Sequence, residues 1–574
     1  MAEAGLSAIK DRVQATVMAA RARLDAYRQA HGPHPDHSRA PGEGVSSHDQ
    51  AQSQNGWVEQ VSSDHADVCI LVEGAYPYVP GGVSSWIDWL IRSQPETTFS
   101  VVALLPRPTA QKFRYRRPDN VIGFQNVYLQ DFGARPVKRM RLPLEAVGLA
   151  HALGELTTVG GVQPLEQVQR QLKAIAQQIP LPVLFNSPVA WNLVEEMYAA
   201  EMPFASFLHY FWGWRALLGG LFATLDCPLP PARIYHTIST GYAGVLAARA
   251  ALETGRPALL TEHGIYTNER RIELLMAEWV ADTVDKGHAL DDPRFDLRDM
   301  WVRAFEAYAR TCYEACAEVI TLYEDNQRVQ KVLGAEQGKL RVIANGIDLA
   351  RFASVTPAPD NAIPTIALIG RVVPIKDVKT YIRSVKHLAT RLPALKAYII
   401  GPTDEDEPYA EECRTLVREL GLEAIIEFTG AVDIVQYLPR IHVVVLTSLS
   451  ESQPLVVLEA GASGIPFVAT NVGSCREILE GRADEHPPLG RGGIVTDVVD
   501  ARAIADAVDA LLRDPSLRRQ YGETLRARVQ ATYTSAQAAN AYRQLYARHL
   551  RDTLWVVNAE PGGLVQSAPQ TGEG

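Results

Sequence analysis

Short apolar runs recur along the chain from Asp67 onward, and between them apolar residues fall at three- and four-residue intervals. The runs include DVCILVE, FSVVALL from Phe99, RIYHTIS around Ile234, PALLTE before His263, EVITL, KLRVIA, TIALIG, KAYIIG, IIEFTG, HVVVLTS and GGIVTD. Their continuity and β-branched content predict strands buried on both faces, as in parallel sheets. The intervening segments, such as WIDWLI, GYAGVLAARAALETG and AIADAVDALL, predict helices, the second closed by a glycine cap. Strand and helix in alternation predict a doubly wound α/β arrangement. The rhythm loosens between about 106 and 230. The stretch from about Leu142 to Leu225 is mostly helical in pattern, with rings clustered in FLHYFWGW (Phe207 to Trp214). Core packing is the main expected use of those rings, a sugar-stacking or acceptor surface the alternative.

This pattern divides the chain. Residues 1–64 read as an amphipathic helix, with Leu6, Ile9, Val13, Val17, Ala20, Leu24 and Tyr27 on one face, followed by a flexible Gly-, Pro- and Ser-rich linker. Residues 65–355 form a first domain with an insertion at about 106–230, and TPAPDNAIP reads as a linker. Residues 360–535 form a second domain, 536–558 a helix that crosses back to the first, and 559–574 a frayed tail.

A chain of 574 residues needs two or three cores, in keeping with that division. The formal charge of −10 argues against nucleic acid as the main partner. No apolar run approaches the ~18 residues of a membrane span. The first thirty residues are interrupted by Lys10, Asp11, Arg12, Arg21, Arg23 and Asp25, unlike a signal peptide. Six scattered cysteines, with only Cys312 and Cys316 near each other, fit a reducing cytoplasm. His31, His34 and His37 lie in the linker and receive no metal role, and no metal site is expected elsewhere.

Chemistry concentrates in SLSESQPLVVLEAGASGIPFVAT, Ser448 to Thr470, which follows the strand HVVVLTS. Pro454 suits the start of a helix, so the N–H groups of Leu455 and Val456 would point out of a strand end, where α/β sheets bind phosphate. Glu451 precedes that helix and Glu459 lies about one and a half turns into it. Upstream, Gly370, Arg371 and Lys376 follow a strand, and the cation pair they carry is on composition alone an ordinary surface pair, one able to stabilise negative charge. Gly81 and Gly82, between the first strand and a helix, leave room for backbone to approach a ligand. His263 stands at the carboxyl end of a strand, the ligand side of an open α/β sheet.

The Glu451–Glu459 spacing, Gly-Arg with a lysine five residues on, and KLRVIANGIDLARF together resemble retaining GT-B glycosyltransferases of family 4, from about Val68 to the last helix. VEGAYPYVPGGVSSW, EHGIYTNER and the long insertion resemble most the glycosyltransferases of Pel-type exopolysaccharide systems, from which the polar N-terminal extension departs. The resemblance implies two Rossmann-like domains facing a cleft, a UDP-hexose donor, retention at the anomeric carbon and no divalent metal. It implies Arg371 and Lys376 at the diphosphate, Glu451 at sugar hydroxyls, Glu459 at the ribose and His263 at the transferred sugar. Gly370, Gly401, Thr429 and Val432 would line the nucleotide, the last two where family backbone holds the base, and VGSCREIL would form the last ligand loop. The implied acceptor is a growing polysaccharide, with inner-membrane synthesis proteins as partners and a cytoplasmic location, peripheral at that membrane. A GT-B sugar-nucleotide epimerase and a non-catalytic assembly scaffold are the alternatives.

Overall fold

The structure is a computed structural model that describes residues 56–57, 59, 65–74, 76–108, 112–130, 148–176, 184–203, 205–276 and 296–557. The expected N-terminal amphipathic helix, the histidines of the linker and the C-terminal tail lie outside these residues. Thirteen strands are described: β1 (Ala66–Glu73), β2 (Phe99–Leu105), β3 (Val121–Tyr128), β4 (Ala232–Thr237), β5 (Ala258–Glu262), β6 (Glu318–Thr321), β7 (Leu340–Val342), β8 (Thr365–Ile369), β9 (Lys396–Ile400), β10 (Ile426–Gly430), β11 (Val443–Leu446), β12 (Phe467–Thr470) and β13 (Gly493–Thr496).

They form two sheets. One has the order β3-β2-β1-β4-β5-β6-β7 and the other β10-β9-β8-β11-β12-β13. Every strand pair of the second sheet is parallel. Both sheets place their first strand in the middle and reverse direction there, between β1 and β4 and between β8 and β11. That reversal is the topological switch point at which such sheets bind ligands, beyond the carboxyl ends of the strands. The two Rossmann-like α/β sheets make this a GT-B fold.

By contact the chain divides into two compact units, Met1–Val319 with Leu333–Lys339 and Arg543–Gly574, and Ile320–Val332 with Leu340–Tyr542. The core of the second unit shows why its strands are continuously apolar. Ile366, Leu368, Val443 and Val445 pack on one side with the helices Val378–Ala389 and Ala501–Arg513. Ala367, Val444 and Leu446 face the other side, with Val457, Leu458 and Ala460 of the helix Leu455–Ala462. A strand covered on both faces has no polar face to show in its sequence.

Three sequence expectations need correction. The insertion drawn from about 106 includes β3, which pairs in parallel with β2 and completes the sheet. Gly123, Gln125 and Asn126 interrupt its apolar pattern, which is tolerated at the end of the sheet, where among the described residues no strand pairs with the outer side of β3. The first domain, drawn to 355, ends sooner, since Ile347, Phe352 and Val355 belong to the second unit's core. Part of the flexible linker is anchored. Trp57 is fully buried, stacks on Phe113 and donates its indole N–H to the Tyr115 carbonyl at 2.9 Å. Burial of one large ring outweighs the polar composition around it.

The insertion's helices Leu149–Thr158, Val162–Ala176, Pro188–Glu201 and Phe207–Asp226 follow β3. Phe207, Tyr210 and Trp214 are buried, so these rings of FLHYFWGW serve packing, while Trp212 is exposed. The final helix, Ser535–Val557, contributes its residues from Arg543 to the first unit. There Tyr546 Oη lies 2.7 Å from His236 Nδ1, and Arg548 pairs with Glu318 at 2.9 Å.

Candidate functional site

The second unit gathers its candidate residues at the switch point. β8 and β11 run side by side, with Leu368 opposite Val445, so the loops after them leave the sheet together. They are tied by backbone and hydroxyl bonds. The Leu449 N–H donates to the Ile375 carbonyl at 2.8 Å, and Thr447 Oγ1 donates to the carbonyls of Lys376 and Asp377 at 2.9 Å each. This brings Lys376 and Glu451, far apart in sequence, into a direct ion pair. Ser448 Oγ donates to the same carboxylate oxygen, Glu451 Oε1, at 2.6 Å. Only 19% of the Lys376 side chain and 13% of that of Glu451 is exposed, so solvent screens this pair weakly.

Arg371 stands on the same loop as Lys376 but has a different partner, Glu405. Sequence reasoning missed Glu405. Its signal was the acidic run Asp404 to Glu407 just beyond β9. Gly370 and Gly401 lie against each other: a Cβ on Gly401 would stand 2.0 Å from the Gly370 carbonyl oxygen, at a φ of +150°. The structure therefore gives Gly401 a packing reason, the close crossing of two strand ends.

Glu451 and Glu459 flank the start of the helix Leu455–Ala462, with Pro454 as its N-cap. Leu455 and Val456 supply the first N–H groups of the helix, which no preceding turn can satisfy. Glu459 is half-buried, and burial raises its pKa, partly offset by the Arg351 guanidinium. Arg351, also absent from the sequence expectation, donates to Asp433 Oδ1 at 3.0 Å, just past Thr429 and Val432. Thr429 bonds locally, to the Gly430 carbonyl at 3.0 Å, and Val432 is exposed. Buried Gln453 was missed as well. It accepts from the Asn345 N–H at 2.7 Å and so fixes the Asn-Gly-Ile-Asp segment beside the helix start. In VGSCREIL, a Cβ on Gly473 would meet the Ser452 carbonyl oxygen at 2.1 Å, and the Ser474 N–H donates to that oxygen at 2.8 Å.

The first unit carries His263, Gly81 and Gly82. His263 follows β5 and packs edge to face against Trp86, with ring centroids 4.5 Å apart. Burial lowers its pKa to about 4, so it is neutral at pH 7. Its neighbour Glu262 is buried, taking a bond from Tyr313 Oη at 2.8 Å and from the Tyr266 N–H at 3.1 Å. Gly81 caps the helix Gly82–Arg92, and a Cβ at either glycine would meet nothing within 4 Å. The fold itself does not demand these glycines; they leave an open surface at a helix N-terminus. Among the described residues, no three His, Cys, Asp or Glu side chains form a group that could hold a metal ion, and no helix is long and apolar enough to cross a membrane.

Comparison with known proteins separates the two halves. Residues 356–528 match the family of glycosyl transferases group 1, and residues 66–338 match a domain of unknown function, DUF3492. Among curated relatives, the chain is 27% identical to D-inositol 3-phosphate glycosyltransferase 2 of Catenulispora acidiphila, over 54% of this chain and 75% of that protein. It is 26% identical to alpha-maltose-1-phosphate synthase of Mycolicibacterium smegmatis, over 54% and 78%. It is 30% identical to D-inositol 3-phosphate glycosyltransferase of Kineococcus radiotolerans, over 40% and 56%. Among solved structures, HepE of Anabaena in complex with UDP aligns over 84% of this chain and 100% of its own, with TM-score 0.52 and 15% identity. Sucrose-phosphate synthase of Thermosynechococcus elongatus aligns over 86% and 99%, with TM-score 0.50 and 17% identity.

Proposed function

We propose that this chain, a GT-B hexosyltransferase with a group 1 donor domain, transfers a hexose from a UDP-sugar to a growing polysaccharide with retention, as the Pel-type glycosyltransferase PelF it resembles. The observation that carries the donor site is the Lys376–Glu451 pair beside the helix start at Pro454, with Glu459 one and a half turns on. A cation, a carboxylate and free helix N–H groups within one loop cluster are what a charged diphosphate joined to a hydroxyl-rich sugar needs.

In this reading the diphosphate takes Arg371 and Lys376 together with the N–H groups of Leu455 and Val456. Charge that builds on the leaving phosphate as the glycosidic bond breaks is stabilised by the two cations, so no divalent metal is required. Lys376 exchanges Glu451 for phosphate, and the released Glu451 accepts sugar hydroxyls. Glu459 holds the ribose, and neutral His263 hydrogen-bonds the transferred sugar. A double displacement would need a carboxylate beneath the anomeric carbon, whereas Glu451 is committed to sugar hydroxyls. The acceptor therefore attacks from the face that the diphosphate leaves, and the departing phosphate takes its proton. Recruitment to the inner membrane would come through other synthesis proteins. UDP is the nucleotide to test first, since it is the one the family resemblance implies and the one bound in the HepE structure.

Product analysis in EDTA tests this. The expected result is release of UDP together with an α-linked product from an α-linked donor. An inverted linkage would overturn the same-face mechanism, and a requirement for added Mg²⁺ would overturn the metal-free role of Arg371 and Lys376.

A further inference from the structure

The two cations at the diphosphate position are held differently. Lys376 and Glu451 are largely shielded from solvent, whereas 52% of the Arg371 side chain and 49% of that of Glu405 is exposed. An exposed pair is screened and contributes little to stability, so it exchanges readily. The loop bearing Glu405 is nonetheless fixed at both ends. At its start the Val372 N–H, beside Arg371, donates to the Pro402 carbonyl at 3.0 Å. At its end Asp406 caps the helix Glu407–Glu419, accepting from the Tyr409 N–H at 3.0 Å. Glu405 therefore lies on a short segment anchored on either side, one end beside Arg371 itself.

We propose that Glu405 is a resident anion that competes with the phosphates for Arg371 and thereby weakens binding of the released nucleotide more than binding of the donor. This rests on the UDP-sugar reading above. A UDP-hexose is a diphosphate diester, while free UDP ends in a monoester whose second ionisation lies near pH 6, so UDP carries roughly one more negative charge at neutral pH. That added charge sits on the phosphate from which the sugar has departed. Glu405 therefore repels product more than donor, a positioning and selectivity role that promotes release after transfer.

The test is direct titration of the full chain with UDP and with UDP-GlcNAc, at about 50 mM and about 500 mM salt. The variants are Glu405→Gln, Glu405→Asp and Asp404→Asn, the last removing one charge from the adjacent residue. A surface pair of ordinary strength predicts that Glu405→Gln tightens UDP about three- to fivefold at low salt, with a smaller gain for UDP-GlcNAc. The gain shrinks at high salt. Glu405→Asp keeps the wild-type ratio of the two affinities, and the inhibition constant for UDP in turnover assays falls in parallel for Glu405→Gln. Unchanged or weaker UDP binding by Glu405→Gln would overturn the proposal, as would an equal gain in Asp404→Asn. Wild-type protein that binds no UDP would instead overturn the donor-site reading beneath it.

Discussion

Val499 shows how one residue departs from what its backbone asks. It has φ +61°, a left-handed conformation that β-branched side chains adopt at a cost, and the residue is 61% exposed. Val499→Asn should raise unfolding stability by about 1 kcal/mol in denaturant titration, because Asn tolerates this conformation and little packing is lost. At the same scale, Arg371, Lys376, Glu451 and Glu459 were legible in the sequence, by type and spacing, as candidates for a donor site. Their partners were not. Ser448 is local, three residues from Glu451, and the acidic run around Glu405 marks a charge without its partner; Glu405, Arg351 and Gln453 meet Arg371, Asp433 and Asn345 across tertiary contacts from distant parts of the chain.

At the scale of elements, the loops that carry the site depend on two close backbone approaches, Gly401 against Gly370 and Gly473 against Ser452. Gly473 has φ +52° and lies against Ser452, so Gly473→Ala should destabilise the protein by about 2 kcal/mol or more and displace Glu451 from Lys376. Gly82→Ala makes the contrast. With open space around its Cβ, it should leave the unfolding free energy within about 0.5 kcal/mol of wild type while weakening ligand binding at that helix start. Calorimetry with paired ligand titrations separates the two cases. The strands covered on both faces were readable because continuous apolar runs have few other uses. β3 escaped because an edge strand admits glycine and polar residues, and Trp57 escaped because one ring among polar neighbours leaves no period to detect.

For the molecule as a whole, two histidines of the first unit, fully buried His236 and half-buried His263, set a pH limit. Burial lowers the pKa of His236 to about 3 and that of His263 to about 4, against about 6.5 in the unfolded chain. Below pH 6.5 the unfolded chain binds protons that the folded chain refuses. Their contribution is thus complete above about pH 6.5 and is lost as the pH falls toward 4 and then 3. Half-buried Glu73 and Glu201, whose pKa values are raised by the loss of solvent around them, act in the opposite sense. His236→Gln isolates the histidine part. The variant loses the ring's bonds to Tyr546 and Thr261 and should melt lower at pH 7.5, but its midpoint should fall less than that of wild type on going to pH 5. An equal fall in both proteins would contradict the assignment. The doubly wound character of both sheets was visible in the sequence, whereas the point where the first unit gives way to the second was not. Ile347, Phe352 and Val355 follow directly on the strand β7 and carry no break in composition.

The central claim is that Arg371 and Lys376 hold a nucleoside diphosphate without a metal. Its most direct test is isothermal titration of UDP, UDP-glucose, UDP-GlcNAc and UDP-GalNAc in EDTA, with the Arg371→Ala, Lys376→Ala double variant beside wild type. The expected result is UDP binding by wild type and a loss of at least a hundredfold in the double variant, about 3 kcal/mol for two charge-assisted contacts, with folding intact by circular dichroism. Undiminished binding by the double variant, or wild-type binding only after a divalent cation is added, would contradict it.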